Sequence, residues 1–172
     1  MEATAQSTKP KIVGPKDGKA GSLGSIGVRF MIDTEDTHDG GFSLVEHPMP
    51  PRALAAPVHR HSREDEYSFV LEGKMGALLG DETVFAEAGD LVFKPRDQWH
   101  TFWNAGDEPA RILEIIAPGG FEKFFDRMTE MGPETPIEER EALAAEYGLE
   151  FDLEPVPALI EKHGLVFPML DA

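Results

Sequence analysis

The chain has 172 residues, which is enough for one domain with appendages and a sizeable buried core. It contains no cysteine, which excludes disulfides, thiolate metal ligands and a cysteine nucleophile. The net charge of −16 argues against nucleic acids and anionic membranes as partners, and no apolar run has the length of a signal peptide or a membrane span, so we expect a cytoplasmic protein.

The first part of the chain is polar and then changes to strands. Residues 1–25 are rich in Lys, Gly, Ser and Thr, which predicts a flexible N-terminal arm. Residues 26–32 predict the first strand. Residues 42–47 predict a second strand, which ends at a cluster of prolines.

Between residues 54 and 118, short β-type segments alternate with turn residues. The predicted strands are residues 57–61, 67–71, 75–79, 83–86, 91–94, 99–103 and 111–117. Many short strands without crossover helices are typical of an antiparallel sandwich or barrel. We therefore predict an all-β barrel domain over residues 26–118.

The last part of the chain, residues 119–172, changes to helical spacing. An apolar stripe at helical spacing is formed by Phe121, Phe124, Phe125 and Met128. The stripe predicts a short helix that packs on the barrel. Thr135 is the expected N-cap of a second helix that Gly148 ends, and residues 155–163 predict further helical turns. We predict a C-terminal helical extension over this range.

One short stretch concentrates side chains that bind metals. His59 and His61 are two residues apart, so on a strand they project from the same face, roughly 7 Å apart along the chain. Glu66 joins them from the next strand if the chain turns at residues 62–65, where we expect Glu64 to be a solvated turn carboxylate. Because imidazole and carboxylate groups are metal ligands, this pattern predicts a metal site inside the barrel.

A second stretch, residues 89–104, carries a further histidine in a strand. His100 shares one face of this strand with Phe102 and Asn104 by simple alternation. Three of the six histidines of the chain therefore lie in these two stretches.

The two stretches resemble the paired sequence motifs of the cupin superfamily. The first motif is a glycine, five residues, His-x-His, three or four residues, a glutamate, six residues and a glycine. At that spacing this chain has Ala53, His59, His61, Glu66 and Gly73.

The second cupin motif is a glycine, five residues, Pro-x-Gly, two residues, a histidine, three residues and an asparagine. At that spacing this chain has Gly89, Pro95, Asp97, His100 and Asn104. Ala53 and Asp97 stand where the motifs have glycine, and both are turn positions rather than ligands. Aspartate tolerates the left-handed backbone better than most residues, so neither departure threatens the site.

The resemblance implies a double-stranded β-helix, the jelly-roll barrel of cupins, with C-terminal helices added here. It also implies one divalent metal ion held by His59, His61, Glu66 and His100. A lone barrel histidine is more often a hydrogen-bonded core residue, but three histidines and a glutamate at this spacing favour metal binding. Such a set suits iron, manganese, nickel, copper or zinc, and it leaves two coordination positions open.

The C-terminal part is similar to that of bacterial quercetin-dioxygenase-like cupins. The resemblance therefore implies a metal-dependent dioxygenase that acts on a small metal-chelating organic substrate. The fold alone selects no reaction, so two alternatives stay open. One is a non-oxidative enzyme (an isomerase, decarboxylase or polyketide cyclase) that uses the metal as a Lewis acid. The other is a non-catalytic module that binds a small molecule.

Three residues are candidates for contact with the substrate. Glu66 is a candidate general base once a substrate displaces it from the metal. Phe102 and Ser68 share a strand face with His100 and Glu66, so we expect them to bind substrate, with core packing as the alternative for Phe102. The resemblance also implies a homodimer formed by exchange of N-terminal strands, for which residues 26–32 are the candidate.

Overall fold

The computed structural model describes residues 10–132 and 134–168, and two antiparallel β-sheets form most of it. Residues 1–9 of the predicted arm and residues 169–172 of the predicted extension lie outside the described residues. The strands are β1 (Ala20–Ser22), β2 (Gly27–Ile32), β3 (Ser43–Met49), β4 (Val58–His61), β5 (Asp65–Glu72), β6 (Lys74–Leu79), β7 (Glu82–Glu87), β8 (Leu91–Lys94), β9 (His100–Asn104), β10 (Ala110–Ala117) and β11 (Leu149–Asp152). The helices are α1 (Glu122–Thr129), α2 (Ile137–Glu146) and α3 (Val156–His163).

The two sheets have the strand orders of a jelly roll. One sheet has six strands in the order β1-β2-β3-β10-β5-β8, and the other has five in the order β11-β4-β9-β6-β7. All pairings between these strands are antiparallel. The structure confirms the predicted all-β double-stranded β-helix with C-terminal helices.

Alternation of apolar and polar residues explains why the segments form strands. In β10 every second residue is buried, and these inward positions hold Ala110, Ile112, Glu114 and Ile116. Three of the four are apolar and belong to the cores between the sheets. The fourth inward position, Glu114, is a buried carboxyl group that an apolar core does not require.

Two strands of the structure were not predicted. Strand β1 pairs with β2 through Ala20 and Arg29. Strand β11 pairs with β4 along its whole length, from Leu149 opposite His61 to Asp152 opposite Val58. The C-terminal part therefore contributes a strand to the barrel as well as three helices. The division into an arm, a barrel and a helical extension stays a prediction.

The predicted cap of the second helix is wrong by one residue. Pro136, and not Thr135, is the N-cap of α2, with an extended ψ of 147° and no side-chain hydrogen bond to the helix. A proline fixes φ at a value that suits a helix start but carries no acceptor group for the first amides. Gly148 follows α2 with φ 71°, and Gly164 ends α3 with φ 62°, both as left-handed stops.

The turn at Asp97 has the left-handed backbone that its place in the second motif requires. Its φ is 64°, within the region that aspartate adopts more readily than most non-glycine residues. The Asp97 amide donates to the carbonyl of His61 at 2.7 Å, so this turn ties β4 to the loop before β9.

Within residues 10–132 and 134–168, no helix combines the length and apolar character that crossing a membrane requires.

Candidate metal centre

The four predicted metal ligands come together inside the barrel. His59 and His61 lie on β4, Glu66 on β5 and His100 on β9, and all four are buried. One ligand atom from each lies within 4.8 Å of the other three. His59 and His100 are direct register partners across β4 and β9, while Glu66 reaches the site from the facing sheet.

Backbone carbonyls fix the tautomers of two of these histidines. His59 Nδ1 lies 2.8 Å from the carbonyl oxygen of Pro57, and His100 Nδ1 lies 2.9 Å from that of Gln98. A carbonyl oxygen only accepts, so each Nδ1 carries the proton and donates it. In the neutral imidazole each Nε2 then carries a lone pair that is free to bind a metal. Histidines that bind metals commonly donate their other ring N–H to a partner in this way.

The contact between His100 and Glu66 tests whether this site fits a metal ion. His100 Nε2 and Glu66 Oε2 lie 3.0 Å apart, although in the tautomer above both atoms are acceptors. Two acceptors at this distance need a cation that both contact. Two ligand atoms about 2.1 Å from one ion and at right angles to each other are themselves about 3 Å apart. The donor set therefore fits a divalent metal ion.

His61 supports the same conclusion through its lack of hydrogen bonds. Within the described part of the chain, neither of its buried ring nitrogens has a hydrogen-bond partner. Nε2 faces Glu66 Oε1 at 3.4 Å, and Nδ1 faces Glu64 Oε2 at 3.7 Å. Buried polar atoms are rarely left without partners, and a metal at Nε2 would satisfy one of these two.

Glu64 is the residue on which the sequence interpretation was wrong in this loop. A solvated turn carboxylate was expected at this position, but Glu64 is buried and its Oε2 has no hydrogen-bond partner among the described residues. It lies behind His61, on the side away from Glu66. A carboxylate behind a histidine is a common outer partner of metal ligands.

The protonation states of the site suit metal binding. Burial, together with the neighbouring His100 and His61, holds the pKa of His59 well below its usual range, and burial also lowers the pKa of His100. Burial opposes the ionisation of Glu66, but the Lys94 ammonium and two of the imidazoles outweigh it and hold the pKa of this carboxyl well below its usual range. His59 and His100 thus offer neutral imidazoles, and Glu66 offers an ionised carboxylate.

A second buried cluster lies beside Glu66 and was not predicted. Lys94 Nζ lies 2.9 Å from Glu66 Oε2 and 2.9 Å from Glu114 Oε1, and its side chain is fully buried. Burial disfavours the ammonium form, but Glu114 and Glu66 outweigh it and raise the pKa of Lys94. Burial raises the pKa of Glu114 to about 7 against the opposing effect of Lys94. Ser68 donates to the Glu114 carboxyl group at 2.9–3.0 Å.

The predicted substrate contacts have different surroundings. Phe102 lies in the wall of the cavity in front of the donor set, and the Lys94 ammonium lies 4.6 Å from the centre of its ring. Ser68 is fully buried, does not line the cavity, and bonds to Glu114 instead. Contact of either residue with a substrate stays a prediction.

The cavity in front of the donor set has a volume of about 80 Å³ and largely apolar walls. The apolar stripe of α1, for which simple packing was expected, forms one of these walls through Phe121, Phe124, Phe125 and Met128. The edge of the Phe121 ring packs on His61, with the ring centres 4.4 Å apart. Strand β11 adds Leu149 and Phe151 to the cavity wall. The C-terminal part therefore forms part of the wall of the site.

Three polar residues of this interior escaped the sequence analysis, namely His47, Lys94 and Glu114. Strand alternation could have found each of them, because each shares an inward face with apolar neighbours: His47 with Val45 and Met49, Lys94 with Val92, Glu114 with Ile112. These three residues lie outside the ligand spacing of the two motifs, so the motifs do not indicate them.

Comparison with known proteins gives one family and two partial relatives. Residues 46–116 match the cupin domain family. The tetracenomycin polyketide synthase protein TcmJ of Streptomyces glaucescens is 33% identical over 60 residues, which are 35% of this chain and 40% of that protein. The polyketide synthase CurC of Streptomyces cyaneus is 35% identical over 60 residues, which are 35% of this chain and 39% of that protein. The match thus spans about two fifths of each relative.

Solved structures show the same fold. The structure of KdgF from Halomonas sp. superposes with a TM-score of 0.58 at 16% identity, over 67% of this chain and 99% of that one. At this identity the likeness concerns the fold alone. The match of residues 46–116 to the cupin domain family agrees with the jelly-roll strand order and with the spacing of both motifs, so the cupin resemblance of this part of the chain is confirmed.

Proposed function

We propose that the protein is a metal-dependent dioxygenase that acts on a small organic substrate able to chelate the metal. The observation that carries this proposal is the convergence of four buried donor groups at the end of an apolar, aromatic-lined cavity. Apolar pockets with a few convergent polar groups are typical of small-molecule sites. The cupin family includes enzymes, which is compatible with catalysis here.

The residues that would hold the metal are His59, His61, Glu66 and His100. When bound, the metal would offer open positions at which a chelating substrate and dioxygen can meet. The protein's own part is to fix the ligands in advance. The Nδ1 bonds of His59 and His100 to backbone carbonyls orient both rings before any metal arrives.

The walls of the cavity support a role in excluding water. The Phe121 ring covers one face of the site through its contact with His61, and Phe102 closes the cavity on the side of Lys94. An apolar site strengthens electrostatic interactions within it and protects reactive species from water. The planar ring of an aromatic substrate would pack well against such walls.

Glu66 is proposed as the residue that takes a proton from the substrate. Its Oε2 lies 2.9 Å from Lys94 Nζ, and its Oε1 lies 3.4 Å from His61 Nε2. Glu66 is among the residues that line the cavity. Lys94 therefore holds one oxygen in place and leaves the other to approach a hydroxyl group of the substrate.

The test is oxygen consumption by metal-free protein reloaded separately with Fe(II), Mn(II), Ni(II), Cu(II) or Zn(II). We expect a catechol or flavonol to be consumed with one equivalent of O₂ under at least one redox-active metal, with both oxygen atoms in the product by mass spectrometry. The Zn(II) form is the matched control, since zinc has no redox chemistry. Absence of O₂ uptake under every metal, with the metal bound, would overturn the dioxygenase proposal.

A second candidate function is a non-oxidative reaction, such as cyclisation of a polyketide, with the metal as Lewis acid. The two curated relatives favour it, because both are polyketide synthase proteins by name. The same reloaded samples separate the two functions. Turnover of a phenolic polyketide that persists with zinc and without oxygen would support this candidate and exclude the first.

The predicted homodimer is retained as part of this proposal. In the single chain, β2 pairs with its own β3 through Phe30 and Val45. Small-angle scattering at several protein concentrations measures the oligomeric state, and a monomer at all of them would remove the prediction.

A further inference from the structure

The charged cluster beside the metal site is not explained by stability. Strand β10 otherwise turns Ala110, Ile112 and Ile116 inward, so an apolar residue in place of Glu114 would suit the barrel. Replacement of a buried ion pair by apolar residues of similar volume is often neutral or stabilising. The Lys94–Glu114 pair therefore calls for another reason.

The carboxylate of Glu114 has acceptor capacity that its neighbours do not use. An ionised carboxylate has about four acceptor sites on its two oxygens. Lys94 approaches Oε1, and the single hydroxyl proton of Ser68 can serve only one oxygen at a time. Acceptor sites remain on a carboxylate that forms part of the cavity wall.

Glu114 also lies close to the metal donors. Its Oε1 and Glu66 Oε2 are each 2.9 Å from Lys94 Nζ, so these two oxygens are at most 5.8 Å apart. A substrate whose oxygens bind at the donor set would therefore bring the neighbouring substituent of its ring towards Glu114. That substituent meets a hydrogen-bond acceptor.

The other polar group of the wall has the same character. Outside the donor set, the described residues that line the cavity include two polar ones, Glu114 and His47. His47 Nδ1 lies 3.0 Å from the carbonyl oxygen of Gly27 and donates to it, which leaves a lone pair on Nε2. The cavity thus presents acceptors within an aromatic frame, and a hydroxylated aromatic ring complements both.

We propose that Glu114 is a specificity-determining residue that accepts a hydrogen bond from a hydroxyl group adjacent to the metal-chelating oxygens of the substrate. The substrate class is then a polyhydroxylated aromatic with at least three neighbouring oxygen functions. Ser68 and Lys94 are positioning residues that orient the Glu114 carboxylate. This inference rests on the proposed function, since it takes chelation at the donor set as given.

The experiment compares two probes on the full chain loaded with zinc, under anaerobic conditions, by titration calorimetry at about pH 8.5, which is above the pKa of about 7 of Glu114. Catechol offers two adjacent hydroxyl groups for chelation, and pyrogallol adds a third beside them. We expect wild-type protein to bind pyrogallol about tenfold or more tightly than catechol, the size of a hydrogen bond to a charged group. In Glu114→Gln this preference should shrink to about threefold or less, with catechol binding kept.

Glu46→Gln is the matched control. Glu46 is also buried and held by two arginines, Arg29 and Arg111, but it lies outside the cavity wall. It should keep the full preference for pyrogallol. An unchanged preference in Glu114→Gln, or no preference in wild type, would overturn the inference and leave the proposed function intact. Failure of both probes to bind wild-type protein that holds zinc would overturn both.

A second variant covers the case in which Glu114→Gln does not fold. The double change Lys94→Met with Glu114→Met replaces the whole pair by apolar residues and leaves no lone charge between them. Circular dichroism checks its folding. We expect it to lose the pyrogallol preference as well, and retention of that preference would count against the inference.

Discussion

The two sheets of the barrel contribute opposite chemistry to the same interior. The five-stranded sheet supplies the imidazole groups of His59, His61 and His100. The six-stranded sheet supplies the charged groups Glu66 and Lys94, and with them Glu114. Two of the imidazoles are held by bonds to backbone carbonyls, whereas the charged groups are held by one another.

This difference shows how the site divides its tasks. Backbone bonds fix the imidazoles of His59 and His100 whatever their neighbours do, so these two donors are oriented before any metal binds. The charged groups of the six-stranded sheet depend on one another, because the loss of one group leaves the others buried without a partner. Four predictions test this division.

The largest effect is expected from removal of an imidazole. His59→Ala should weaken metal binding by more than the roughly 100-fold that loss of an outer partner costs, because a ligand itself is lost. Metal content of purified protein and calorimetric titration measure the effect. His163→Gln, on α3 against Trp103, is the control and should bind metal like wild type. Equal metal affinity in both variants would contradict the assignment of His59 as a metal ligand.

The second effect is a loss of stability when the charged groups of the six-stranded sheet lose their cation. Lys94→Met leaves Glu66 and Glu114 buried without their cation, so it should lower the free energy of unfolding by about 3–5 kcal/mol. Adding Glu114→Gln removes one of the two orphaned charges and should restore part of the loss. Urea denaturation of the metal-free proteins measures both. A single variant as stable as wild type would show that the cluster is not mutually dependent.

The third effect is a change of stability with pH that comes from two buried groups of the six-stranded sheet, His47 and Glu114. Burial lowers the pKa of His47 to about 4, from about 6.5 in the unfolded chain. As the pH falls, the unfolded chain binds a proton at this histidine before the folded chain does. The contribution of His47 to the free energy of unfolding is therefore complete above pH 6.5 and decreases by about 3 kcal/mol as the pH falls towards 4. The pKa of Glu114 is raised to about 7, so this residue acts in the opposite sense between pH 7 and 4.5.

The wild-type profile is therefore the sum of two opposed changes. As the pH is lowered, His47→Gln should become more stable relative to wild type. Over the same range Glu114→Gln should become less stable relative to wild type. Urea denaturation of metal-free protein at several pH values from 7.5 to 4.5 gives both differences. Parallel profiles for the three proteins would contradict the opposed titrations.

The smallest effect is expected at the outer partner of His61. Glu64→Gln removes the charge 3.7 Å behind Nδ1 and should weaken metal binding about tenfold. Asp65→Asn is the matched control, because Asp65 is the adjacent carboxylate and pairs with Arg96 at 2.7 Å instead. Equal metal affinity in the two variants would show that the Glu64 carboxylate does not support His61 as a metal ligand.

Sequence reasoning found the parts of the site that obey a local rule. His59 and His61 follow from strand alternation, and His100 and Glu66 from the spacing of the two motifs. Asp97 was expected in the left-handed region, and its φ of 64° confirms it. In each case a few neighbouring residues hold all the information.

The rest depends on contacts between distant segments. Lys94 and Glu114 meet only because β8 and β10 both flank β5, and a pairing of strands in that order is not visible in either segment alone. Strand β11 is four residues long and carries two acidic residues, so it has little strand character without β4 beside it. Thr135 was a plausible cap, but Pro136 began the helix instead.

The pairing of β11 with β4 has a consequence for how firmly the protein retains a metal. Strand β4 carries two ligands, yet it shares one register pair with β9, at His59 and His100, and four with β11. A local opening that detaches β11 would leave β4 as a loosely held edge and loosen two ligands together. Strand β11 lies outside residues 46–116, the part that matches the family. We therefore expect the rate at which a bound metal is released to depend on a segment outside the matched cupin domain.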